Sequence, residues 1–236
     1  TAVYQYDDKR IWDILAMISN LEGDFWIRLM YCHPDHIDDR LIEALVTVPK
    51  VVPYIDIPFQ HASKKILQSM NRHGDADTYL KLIEKLRDAI PDIAIRSTFM
   101  VGFPDEDDND FKLLMDFLQE AQLDRVGVFM YSPEEGTKIF AKGDTVKKAT
   151  KKNRYDMLMN LQQEISRERL METLGDTVQV LVEEKVDRYN YIGRTQYDAP
   201  EIDGIFYLTA YNVRVNDIVT AIITDTLEYD RIGEMI

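Results

Sequence analysis

The sequence of 236 residues contains one cysteine, Cys32, and this scarcity excludes two features. A disulfide framework requires pairs of cysteines, so we expect the chain to work in a reducing compartment such as the cytoplasm. An iron–sulfur cluster is normally held by several thiolates, which one cysteine cannot supply. The chain as it stands therefore provides no ligand set for such a cluster.

The sequence also lacks long apolar runs and an excess of basic residues. No run approaches the roughly 20 apolar residues of a membrane-spanning helix, and the polar segment 1–10 shows no signal-peptide pattern. The 28 basic residues are outnumbered by 42 acidic ones, which gives a net charge of −14. Residues 175–236 alone contain twelve acidic and five basic residues, a balance of −7. Since nucleic-acid binding depends on Lys and Arg, this balance favours a basic partner over RNA, although an acidic surface can also serve solubility alone.

Hydrophobic periodicity predicts alternating helices and strands through the first two-thirds of the chain. The predicted helices cover 11–21, 37–48, 75–90, 107–121 and 147–173, and the predicted strands cover 25–31, 51–57, 93–101 and 125–131. Such alternation is typical of right-handed βαβ units in a parallel sheet. Four strands do not close a barrel, so we predict an α/β fold that forms part of a (β/α) barrel.

The pattern changes after the long helix to short strands, which we predict at 177–186, 189–196, 204–211 and 217–224. Their spacing is typical of a small antiparallel β-barrel. We therefore predict two domains, residues 1–172 and residues 173–236.

Polar residues follow each predicted strand of the first domain, where active sites of α/β barrels form. Cys32, His33 and His36 could ligate a metal, but more commonly such a loop only caps a strand, so we predict no metal site. Gln60 and His61 could hold a cofactor or close a turn, and the sequence does not decide between these alternatives.

The next two strands carry further candidates. Arg96 lies inside a strand, where a buried guanidinium needs an acidic partner, either a ligand carboxylate or Asp56 of the neighbouring strand; we favour the ligand. Gly102 permits a tight turn or the close approach of a ligand. The acidic run Asp105–Asp108 is interpreted as a helix N-terminus.

Several segments, in order, resemble the radical S-adenosylmethionine (radical SAM) methylthiotransferase family. They are Trp26–Leu29 with His33–His36, Pro58–Ser63 with Met70–Arg72, Arg96–Pro104, and Tyr131–Ser132 with Glu135–Thr137. The tail is similar to a TRAM domain. Within it, Gly193–Thr195 and Asp198–Gly204 resemble the RimO branch, which modifies an aspartate of ribosomal protein uS12. The acidity of the tail agrees with a basic protein substrate.

The resemblance implies a radical mechanism. A 4Fe-4S cluster in the barrel would cleave S-adenosylmethionine, the resulting radical would remove a hydrogen from the aspartate β-carbon, and a second 4Fe-4S cluster would deliver the methylated sulfur. The resemblance assigns no catalytic step to a single residue. The residues that it places beside S-adenosylmethionine are Gln60, His61, Arg96, Gly102, Phe103, Tyr131 and Ser132. Ribosomal protein uS12 would dock on the acidic tail domain.

The sequence departs from the family pattern in two places. The CxxxCxxC motif and the N-terminal domain are absent, which indicates an incomplete and, in isolation, inactive fragment. Asp105 and Asp107 stand where the family has Gly and Thr, which puts the shape of this loop in doubt. A tRNA methylthiotransferase of the MiaB type and a non-catalytic module that binds a ribosomal protein are the alternative interpretations.

Overall fold

The computed structural model describes residues 2–236, which form a four-stranded parallel sheet covered by helices and a separate five-stranded barrel. The elements are, in order, β1 (Gln5–Tyr6), β2 (Lys9–Arg10), α1 (Ile11–Ser19), β3 (Ile27–Leu29), α2 (Asp39–Thr47), β4 (Val51–Asp56), α3 (Lys64–Ser69), α4 (Ala76–Ala89), β5 (Ala94–Val101), α5 (Asp108–Ala121), β6 (Arg125–Met130), α6 (Lys148–Met171), β7 (Thr177–Lys185), β8 (Asn190–Thr195), β9 (Phe206–Thr209), β10 (Ile218–Thr226) and β11 (Arg231–Met235). Short 3₁₀ helices lie at Pro34–His36 and Lys138–Lys142. No helix among residues 2–236 is both long and apolar enough to cross a bilayer.

The first sheet has the strand order β3-β4-β5-β6, and every pairing in it is parallel. Side chains alternate between the two faces of the sheet along β5. On one face, Ile95, Phe99 and Val101 are buried in the main core with α4 and α5. On the opposite, concave face lie Arg96 and Thr98. The partial (β/α) barrel predicted from the sequence is confirmed.

The second sheet closes on itself in the order β10-β11-β9-β8-β7 around a core that includes Val180, Phe206 and Ile223. The predicted small barrel is confirmed, with two differences. A fifth strand, β11, was not predicted, and it pairs with β9 in parallel while the other pairings are antiparallel. The predicted boundary near residue 172 falls between α6 and β7 and stays a prediction.

The segment Thr195–Gly204 of the second domain, which we call the floor loop, packs against the first domain. Its Ala199 packs against Val52, Tyr54 and Ala94 on the concave face of the first sheet. Arg28 of β3 donates hydrogen bonds to the carbonyls of Thr195 and Gln196. The floor loop therefore covers the end of the concave face at which the parallel strands begin, and the opposite end, with the strand tips, is left for a site.

Candidate cofactor site at the strand tips

The tip of β5 is held by a buried carboxylate. Gly102 has φ +72°, and the backbone N–H groups of Gly102 and Phe103 donate to Glu106 Oε2 at 2.8 and 3.3 Å. Arg154 of α6 reaches the other oxygen of Glu106 at 2.6 Å, and both side chains are at least nine-tenths buried. Glu106 thus fixes the turn that follows β5, because it satisfies two backbone donors and one guanidinium at once.

His61 belongs to the same buried cluster. Its Nδ1 accepts a hydrogen bond from the N–H of Ser63 at 2.9 Å, so the proton of the neutral ring lies on Nε2, which faces Glu106 Oε2 at 3.5 Å. The side chain is fully buried. This geometry favours the turn-closing alternative for His61, and its predicted contact with a cofactor stays a prediction.

Gln60 lies at the tip of β4 and adopts φ +71°, an uncommon value for a residue other than glycine. Its N–H donates to Thr98 O and its carbonyl accepts from Met100 N, both at 2.8 Å, so the residue bridges to β5. Backbone strain that neighbouring hydrogen bonds hold in place is commonly found at functional sites. Gln60 is also only partly buried.

Phe103 and Tyr131 form an edge-to-face pair at the tips of β5 and β6, with ring centroids 5.1 Å apart. The Tyr131 hydroxyl is buried and has no hydrogen-bond partner among the described residues. Burial raises the pKa of this phenol, so the group stays a neutral donor. Lys151 of α6 lies over the Tyr131 ring and donates to its carbonyl at 2.6 Å. Ser132, the next residue, is exposed.

Arg96 occupies the middle of the concave face and is paired with two carboxylates. Its Nη1 lies 3.1 Å from Asp56 Oδ1, and its Nε lies 3.4 Å from Oδ1 of Asp203 in the floor loop. Asp203 also accepts from the Tyr54 hydroxyl at 2.7 Å, while burial raises its pKa. The structural alternative, a pair with Asp56, is therefore present, and a second partner comes from the other domain.

The structure brings Gly102, Phe103 and Tyr131 together at the strand tips, with Gln60 on the adjoining strand end. Arg96 lies further down the concave face. Glu106, Lys151 and Arg154 were missed as supports of this site. Glu106 was assigned with its acidic neighbours to a helix N-terminus. That interpretation holds for Asp107, which caps α5 and has a pKa lowered to about 2, chiefly by the hydrogen bond from the Asp110 N–H.

The cysteine and histidine loop after β3 shows no sign of a ligand set. Cys32 is fully buried, and burial is the main cause that raises the pKa of its thiol to about 11. His33 accepts from the N–H of Asp35 and so caps a 3₁₀ turn. Among residues 2–236, no group of three His, Cys, Asp or Glu side chains is placed to hold a metal ion.

The strand tips fit a nucleotide-like group better than a cluster. The buried Tyr131 hydroxyl, which has no hydrogen-bond partner among the described residues, suits a ligand with a polar group that can pair with it. An iron–sulfur cluster does not fit the residues of this chain, because its single thiol is buried and protonated.

Gly102 provides a first test of this arrangement. A Cβ at this position would overlap Cγ of Lys151, and the positive φ adds strain, so we expect Gly102→Ala to lower the free energy of unfolding by about 2–4 kcal/mol. Gly136 is a matched control, because its φ is +83° and no atom lies within 4 Å of the added Cβ. Urea denaturation should show a clearly larger loss of unfolding free energy for Gly102→Ala than for Gly136→Ala. Equal losses would mean that the Lys151 side chain moves aside at little cost.

Comparison with known proteins agrees with this architecture. Residues 2–118 match the radical SAM superfamily, and residues 174–236 match the TRAM domain. The chain is 42% identical over 234 residues to the ribosomal protein uS12 methylthiotransferase RimO of Heliobacterium modesticaldum, with 99% of this chain and 51% of that protein aligned. It is 46% identical over 228 residues to the RimO of Histophilus somni, with 94% and 51% aligned. Coproporphyrinogen III oxidase (HemN) from Escherichia coli, a radical SAM enzyme, superposes with a TM-score of 0.46 at 18% identity over 60% of this chain and 32% of its own.

A parallel half-barrel followed by a TRAM barrel defines a radical SAM protein with an appended TRAM domain. The chain spans about half the length of the curated relatives that it matches. It belongs to the RimO family of radical SAM methylthiotransferases.

Proposed function

We propose that the protein to which this chain belongs methylthiolates the β-carbon of an aspartate in ribosomal protein uS12, in the reducing cytoplasm. The observation that carries the proposal is the identity of 42–46% with RimO proteins along nearly the whole chain. S-adenosylmethionine and two 4Fe-4S clusters would supply the radical and the sulfur. The part of this chain would be to bind the nucleotide side of the cofactor at Gly102, Phe103 and Tyr131 and to orient the substrate.

The charge of the TRAM domain supports a basic protein as the substrate that docks there. Asp198, Asp203 and Arg231 are used in contacts inside the protein. The remaining charged residues of 175–236, all at least partly exposed, number ten acidic and four basic, which leaves −6 on the accessible surface. Such a surface attracts a basic ribosomal protein and repels RNA.

The proposal is tested with the full-length gene product, reconstituted with iron and sulfide and supplied with S-adenosylmethionine. Mass spectrometry of uS12 and of tRNA from the same reactions should show a methylthio group on an aspartate of uS12 and none on the tRNA. Modification of tRNA instead would assign the protein to the other branch of the family. Binding of uS12 without any modification would favour a non-catalytic module.

A further inference from the structure

The outer edge of β6 carries backbone groups that are not paired with another strand, an arrangement that folded proteins normally protect. The N–H of Tyr131 donates to Val101 O at 2.9 Å, and the parallel register with β5 runs from Arg125 to Met130. Because backbone groups alternate sides along a strand, those of Val126, Val128 and Met130 point away from β5. No hydrogen-bond partner for these six groups is present within residues 2–236.

The side chains along this free edge do not protect it against pairing. Edge strands are commonly blunted by lysine, proline or inward-pointing charge, and the segment 126–130 (VGVFM) contains none of these. Phe129 is 60% exposed and Met130 is 40% exposed. An apolar strand edge of this kind is suited to accept another extended segment.

Acidic side chains border the free edge at both ends. Beyond its C-terminal end, Glu134 and Glu135 are exposed. At its N-terminal end, Arg125 Nη2 donates to Tyr229 O at 3.0 Å, so the TRAM turn with Glu228 and Asp230 lies within reach of the side chain that begins β6. A segment that pairs with β6 would therefore have carboxylates at each end.

The charges discriminate between the possible occupants. A second copy of the chain, paired edge to edge in either direction, would place acidic ends against acidic ends, and each copy carries −14. An extended polypeptide with an apolar or neutral centre would match the apolar strand edge, and Lys or Arg at both of its ends would match the acidic residues there. Since β6 has six residues, a segment of about 20 Å would cover it.

We propose that the free edge of β6 binds an extended, basic segment of a protein substrate by β-strand addition. The inference rests on the proposed function, because it gives the route by which a basic protein such as uS12 reaches the concave face beside Phe129. Main-chain hydrogen bonds would supply the binding affinity, and the acidic residues at the two ends of β6 would select a segment with basic residues at its own ends.

Amide hydrogen exchange on the isotope-labelled chain tests the proposal with the synthetic peptide KKVTVTVKK. At saturating peptide we expect exchange at Val126, Val128 and Met130 to slow by about tenfold or more, since their N–H groups gain partners. The amides of Gly127 and Phe129, which already face β5, serve as internal controls and should not change. The acidic peptide EEVTVTVEE, and a basic peptide N-methylated throughout its centre, should give no protection.

Two charge variants complete the test. The double variant Glu134→Gln with Glu135→Gln should weaken peptide binding by about threefold to tenfold and reduce its salt dependence, whereas Glu84→Gln with Asp88→Asn, on exposed α4, should leave it unchanged. Binding without protection of the three amides, equal protection by the acidic peptide, or protection that rises with protein concentration alone would each overturn the proposal. None of these results depends on methylthiolation, so the proposed activity is judged separately by modification of uS12.

Discussion

Asp198→Asn is expected to lower the free energy of unfolding by about 3–5 kcal/mol, because it leaves two buried guanidinium groups with no carboxylate between them. Asp198 is 1% exposed. Its oxygens lie 2.7 Å from Arg125 Nη2 in β6 and 2.9 Å from Arg231 Nη1 in β11, and it also accepts from the Thr195 hydroxyl at 2.6 Å. One side chain of the floor loop thus ties the last strand of the half-barrel to the last strand of the TRAM barrel.

The control for this variant is Glu201→Gln, which removes one negative charge from an exposed position in the same loop and should change stability little. Urea denaturation of the two variants beside the parent chain measures the difference. A loss for Asp198→Asn as small as that of the control would show that the guanidinium groups find other partners or water.

The pH dependence of stability gives a second measure of the same ion pairs. Burial alone would raise the pKa of Asp198, but Arg231 and Arg125 outweigh it and hold the pKa below the ordinary value of 3.8. A carboxyl with a lowered pKa in the folded state stabilises the fold at neutral pH, and this contribution is lost as the pH falls below 3.8. The stability difference between the parent chain and Asp198→Asn should therefore shrink in that acid range and stay constant above about pH 5.

The sequence predicted the repeating part of the fold well because local periodicity determines it. Helix α4 was predicted at 75–90 and runs from Ala76 to Ala89, and β5 was predicted at 93–101 and runs from Ala94 to Val101. Strand β11 was missed. Its sequence, RIGEM, does not alternate clearly between polar and apolar residues. It is held as a strand by antiparallel pairing with β10 and by parallel pairing with β9, and periodicity along a single segment reports neither contact.

The candidate site was predicted only in outline, for a related physical reason. The carboxyl ends of parallel strands meet at one edge, so polar residues after successive strands could be assigned to one site. The supports of the site come from distant positions: Arg154 reaches Glu106 across 48 residues, and Asp203 reaches Arg96 from the other domain. Such partners depend on how helices and domains pack, and no local pattern marks them.

Arg96→Ala is expected to lower the free energy of unfolding by about 3–5 kcal/mol, since it leaves Asp56 as a buried carboxylate without a cation. Asp56 is fully buried, and the hydrogen bond from the N–H of Tyr31 at 3.0 Å does not neutralise its charge. Thermal or urea unfolding of the chain measures the cost.

A compensating variant then separates the structural role of Arg96 from a role in cofactor binding. Adding Asp56→Asn to Arg96→Ala removes the unpaired charge, so we expect it to restore a large part of the lost stability. In the full-length protein, calorimetry with S-adenosylmethionine is made on the parent and on this double variant. If Arg96 contacts the cofactor carboxylate, affinity stays at least about tenfold weaker even though stability returns, because a charge-assisted hydrogen bond is still missing. If affinity returns together with stability, Arg96 holds the concave face and the floor loop in place, and the carboxylate of the cofactor is bound by another group.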